Sequence, residues 1–117
     1  MAIPDATHKS ACDAVVSIGN WVSVHSTAAG TSGTNEATGG SYARQQSTFA
    51  TGAMSGGYWV RTGSAVNVPV AAGTYAEAGL WSASSTGTFV GSDAFVGGSV
   101  TVSGTGASIT ITPSVQA

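Results

Sequence analysis

The chain has 117 residues, of which three are Lys or Arg and five are Asp or Glu, so only 7% are charged and the net charge is −2. An ordinary soluble domain is about a quarter charged; here Gly, Ser and Thr take that share. Acid–base catalysis and metal binding need several ionisable groups at one point, and phosphate or anionic lipid needs a basic stripe. The composition therefore argues against an enzyme, a cofactor, and nucleic-acid or membrane partners.

A chain of this length can bury about two thirds of its unfolded surface in one core, without a metal or disulfide. Cys12 stands alone, which fits folding in a reducing compartment. No charged start followed by an apolar run is present, and no apolar segment approaches the roughly 18 residues of a membrane span, so synthesis and folding in a cytoplasm are expected.

In chain order, Ile3 to Ile18 carries helical spacing. Ile3, Thr7, Ala11, Ala14, Val15 and Ile18 fall on the side expected to be buried, and His8, Lys9 and Asp13 fall opposite. Pro4 suits the first turn, Asp5 suits the positive end of the dipole, and Gly19 supplies a stop. Asp5, Lys9 and Asp13 are four apart, the spacing of helical ion pairs.

After Gly19 the period becomes two. Strands are expected near Trp21–Ser26, Ala43–Ala50, Gly57–Thr62, Ala65–Val70, Thr74–Ala83, Thr88–Asp93, Ser99–Ser103 and Ser108–Thr112. Val66, Val68 and Val70 alternate with Asn67 and Pro69, and Pro69 places that strand at an edge. Many short strands after one helix predict a mainly β fold: residues 1–19 as arm and helix, and 20–117 as a single β-sandwich of about eight strands, jelly-roll-like at the limit. Thr27 to Ser41 has no apolar run and reads as a long surface loop.

Within and after that loop, Asn35, Glu36, Gly39, Gly40, Tyr42 and Arg44 form the most specific short block. Arg44 is placed to hold Glu36 bidentately and pin the loop; the alternative is that Tyr42 and Arg44 contact a neighbouring copy. His25 lacks the two further donors a metal or catalytic site requires, so a histidine hydrogen-bonded to nearby backbone is expected. Trp21, Trp59 and Trp81 read as core fillers, ahead of an aromatic platform for sugar. Glu77 and Asp93 read as solvent-facing or bonded to turn backbone, and Cys12 as a small packing residue.

Two blocks carry a resemblance. VHSTAAGTSGTNEATGGSYARQ begins at Val24, and AGLWSASSTGTFVGS runs from Ala78 to Ser92; together with the Ile3-Pro-Asp-Ala-Thr-His-Lys opening they resemble a family of small virion proteins of tailed bacteriophages, commonly labelled tail fibre or minor tail proteins. The departures are modest: Val24 where Leu is usual, Ala28 and Ala29 where an acidic residue and Pro are usual, and Glu77 where His is common. The resemblance implies a non-enzymatic structural protein of the virion, made in the host bacterial cytoplasm. Its expected partners are its own copies, as a trimer, and the major capsid or tail proteins. Capsid decoration is the favoured placement, a tail fibre or minor tail subunit the alternative, and a carbohydrate- or receptor-binding module a second alternative.

Overall fold

The computed structural model describes Met1 to Ala117, and it is mainly β with one N-terminal helix, as expected. Helix α1 spans Asp5–Ile18, and Pro4 stands at its N-cap in extended conformation with no side-chain cap. Gly19 ends it for a steric reason: it is itself extended, but a Cβ there would lie 2.2 Å from the carbonyl oxygen of Trp81.

The face that α1 packs corrects the sequence reading. Thr7, Ala11, Ala14 and Ile18 are exposed, whereas Cys12 is fully buried and His8, Lys9, Asp13, Val15 and Val16 are half-buried. Polar anchors decide the orientation. Ala117 O lies 3.2 Å from His8 Nδ1, the Cys12 thiol donates to Val115 O at 3.4 Å, and Arg61 reaches Asp13 at 3.2 Å. These three fix the helix on the strands that carry Arg61 and Val115 and on Ala117 just beyond them.

The strands are β1 (Trp21–His25), β2 (Gln45–Gln46), β3 (Ala53–Ser55), β4 (Tyr58–Thr62), β5 (Val66–Val70), β6 (Gly73–Tyr75), β7 (Glu77–Trp81), β8 (Phe89–Ala94), β9 (Val100–Val102), β10 (Ala107–Ile111) and β11 (Ser114–Gln116). All pairings are antiparallel. They form a four-stranded sheet β2-β1-β7-β8, a three-stranded sheet β11-β4-β3, and the ribbons β10-β5 and β6-β9. The expected Thr74–Ala83 strand is two strands, the expected Ala43–Ala50 strand shrinks to Gln45–Gln46, and β3 and β11 are additional.

The core lies between the four-stranded sheet and the β5/β10 ribbon. Val22 and Val24 of β1, Leu80 of β7, Val68 and Val70 of β5 and Ile111 of β10 are buried there. Alternation places these side chains on facing surfaces, the layered packing of a sandwich. The molecule is elongated, 49 × 28 × 23 Å.

Candidate functional site

From Val22 to His25, β1 is buried on both faces, which is unusual for so polar a strand. Val22 and Val24 enter the core; Ser23 and His25 point to the other face, and both are fully buried. Residues 27–38 cover that face. This segment has no strand of its own, as read from its composition, yet it is held down: Ala29, Gly33 and Ala37 are buried. The Ala37 N–H donates to Val24 O at 2.8 Å, the Ser26 N–H to Asn35 O at 2.9 Å, and the Ala29 N–H to Glu77 Oε1 at 3.1 Å. Gly33 has φ +74°, and a Cβ there would stand 2.4 Å from the indole of Trp81. No other residue both takes that conformation and leaves the space.

Under this cover runs one polar chain. The Trp81 indole N–H donates to Ser23 Oγ at 3.0 Å, and Ser23 Oγ lies 2.8 Å from His25 Nε2. His25 Nδ1 lies 2.8 Å from the carbonyl oxygen of Thr34, which only accepts. Nδ1 therefore carries the hydrogen and Nε2 accepts from the Ser23 hydroxyl. Serine and histidine stand in a nucleophile–base relation, but both are fully buried, and a backbone carbonyl takes the place of an orienting carboxylate. Their role is satisfaction of buried polar groups.

The predicted block stands beside that chain. Arg44 Nε and Nη2 donate to Glu36 Oε2 and Oε1 at 2.7 and 2.8 Å, the bidentate pair anticipated from the sequence. The Tyr42 hydroxyl donates to Glu36 Oε2 at 2.5 Å and accepts the Val24 N–H at 3.3 Å. Arg44 Nη1 donates to the carbonyls of Ala83 and Thr86 at 2.9 and 2.8 Å, and the guanidinium lies 3.9 Å from the centre of the Trp81 ring. Thr86 pays in strain, with φ +51° in a β-branched residue. Asn35, at φ +61°, donates from Nδ2 to Ala28 O at 3.0 Å and closes the loop's base without joining the ion pair.

Electrostatics follow the contacts. Burial pushes the Glu36 carboxyl up, but hydrogen bonds from Arg44 and Tyr42 and the charge of Arg44 outweigh it and hold the group below the ordinary glutamate range. Burial, together with the bond to Glu36, pushes the Tyr42 phenol well above its usual value. Beside the clamp is a polar recess of about 370 Å³ lined by Thr38, Tyr42, Ser84, Ser85 and Thr86 among others.

Ser23 is the participant that sequence reasoning missed, and with it the polar bond that Trp81 makes; the Trp21–Trp81 and Ser23–Gly79 register that brings the two together is long-range. Trp81 is a buried filler as expected, whereas Trp21 and Trp59 are half-buried. Glu77 bonds loop backbone and accepts from Ser92, and Asp93 bonds the Ala94 N–H.

A second feature was not anticipated. An open apolar groove of about 770 Å³ runs between β8, β10 and β11, with Leu80, Val90, Ile109 and Val115 in its lining and Asp93 as its one charged residue. The only signal for it in the sequence is the alternation of Ile109 and Ile111. Comparison with protein-family models, with curated proteins and with solved structures finds no match for the chain.

Proposed function

We propose that the chain is a non-enzymatic structural protein on the outer surface of a tailed-bacteriophage virion, acting as a capsid decoration protein that stabilises the shell through contacts between copies and with the major capsid protein. The resemblance of the Val24 and Ala78 blocks supplies the phage context. The observation that carries the structural role is the use made of the most specific of those residues. Glu36, Tyr42 and Arg44 spend their polar groups on one another, on Val24 and on the Ala83 and Thr86 carbonyls, so the block that marks the family builds a rigid surface.

Reconstruction of the virion tests this. Density for the chain at capsomer junctions supports decoration; density confined to the tail transfers the role to a tail fibre or minor tail subunit, and absence from the particle defeats both. The hydroxyl-lined recess beside Tyr42 favours the carbohydrate-binding reading. Glycan-array binding abolished by Ser85→Trp in a folded protein would select it.

A further inference from the structure

The apolar groove is missing a strand. β10 is paired on one side only, with β5, and its residues line the groove together with those of β8. Ser108 of β10 pairs with Pro69, which has no N–H, so the ladder bonds of this pair belong to Ala107, Ile109 and Ile111. The main-chain groups of Ser108 and Thr110 consequently point outward, and no loop hydrogen bond takes them up. The Thr110 hydroxyl donates to Asn67 Oδ1 at 2.6 Å, the close side-chain approach of a non-hydrogen-bonded pair.

The opposite bank is guarded. The Phe95 N–H bonds Ala76 O, so along β8 the Ala94 N–H faces away from β7, and the Asp93 carboxylate takes it at 3.0 Å. The β8 edge is thus occupied at Ala94 by the exposed Asp93 carboxylate while the β10 edge is free. An unpaired edge above an apolar floor is the geometry of strand addition, in which backbone bonds give affinity and alternate side chains fill the groove.

We infer that the groove receives the N-terminal arm, Met1–Pro4, of a second copy of this chain, added as a strand along β10. The arm has no charged side chain, and its one charge, the Met1 α-ammonium, is opposite in sign to Asp93, the groove's sole charge. All four of its residues are exposed, Pro4 is extended, and Met1 and Ile3, two residues apart, project on one side of an extended strand. The other exposed large apolar residues sit on α1 (Ile18), on the β3–β4 hairpin (Tyr58), or on the groove's own rim (Val96 and Val100). One arm and one groove per copy let every arm be seated in a closed oligomer, by reciprocal exchange between two copies or head-to-tail around a ring. This rests on the assembly role proposed above and names the contact through which copies associate.

The test uses the full chain. Sedimentation of the wild type across a concentration series is expected to show a closed oligomer, and Ile3→Glu or Val96→Glu, both at exposed sites, is expected to weaken it at least tenfold with the circular dichroism spectrum unchanged. Mixing separately purified Ile3→Cys and Val96→Cys proteins under mild oxidation should give a mixed disulfide in excess over an Ile18→Cys and Val96→Cys control. A strict monomer at high concentration, an oligomer indifferent to Ile3→Glu, or cross-linking no better than the control overturns the inference. Each of those results leaves the virion localisation to be decided by its own experiment.

Discussion

Arg44→Ala removes one partner of an ion pair that the fold has taken largely out of water. Arg44 is 8% exposed and the Glu36 side chain 22%. The substitution deletes two bonds to Glu36, frees the carbonyls of Ala83 and Thr86, and uncovers the Trp81 ring. Orphaning one member of a buried pair costs about 3–5 kcal/mol, and the residual exposure of Glu36 places this case near about 3 kcal/mol. Against a total stability of roughly 5–15 kcal/mol that is a large fraction, worth on the order of 10 °C in melting temperature at this chain length. Urea unfolding followed by tryptophan fluorescence measures it. Glu36→Ala and the double variant complete a cycle, in which the double is expected to be less damaged than the sum of the singles by about 2 kcal/mol. Additive singles, or an Arg44→Ala cost below about 1 kcal/mol, would refute the clamp.

Because the folded Glu36 carboxyl lies below its unfolded value, its contribution is complete above the unfolded value and lost as pH falls through the folded one. Unfolding free energy of the wild type should therefore drop more steeply below about pH 4.5 than that of Glu36→Gln, as measured by urea titrations at stepped pH. Gly33→Ala meets both a positive φ and the Trp81 indole, and is expected to cost about 2–4 kcal/mol and to speed exchange of the Ser26 and Ala37 amides. Cys12 is buried, and burial pushes its thiol up, so a thiol reagent at neutral pH should label it only at the rate of unfolding.

What could be read from the chain follows the range of the interactions. The strands Val66–Val70 and Ala107–Ile111 were legible because one face of each is buried, and a period of two survives in the residues. The Glu36–Arg44 pair was legible because charges are so few that each has few partners to choose from. Strands β3 and β11 were not, since they carry little apolar pattern and exist through pairing with β4. The helix face was misread because periodicity counts apolar residues, whereas α1 is oriented by His8 and Cys12 meeting carbonyls at the far end of the chain and by Asp13 meeting Arg61. The cover over Ser23 and His25 was hidden for a related reason: alanine and glycine look like loop until Trp81 is placed beneath them.

Scarce charge and this packing together set how the surface meets proteolysis. An enzyme that cuts after basic residues has three bonds to attack. Arg44 is buried under the clamp, Arg61 bonds Asp13 and the carbonyls of Phe49 and Ala50, and Lys9 lies within α1 bonded to Asp13. The exposed runs Thr38 to Ser41, Ser84 to Thr88 and Val96 to Thr101 contain no basic residue at all. Digestive proteases of that specificity would find almost no extended segment to grip, and nicking after Arg44 would have to await the opening of the clamp.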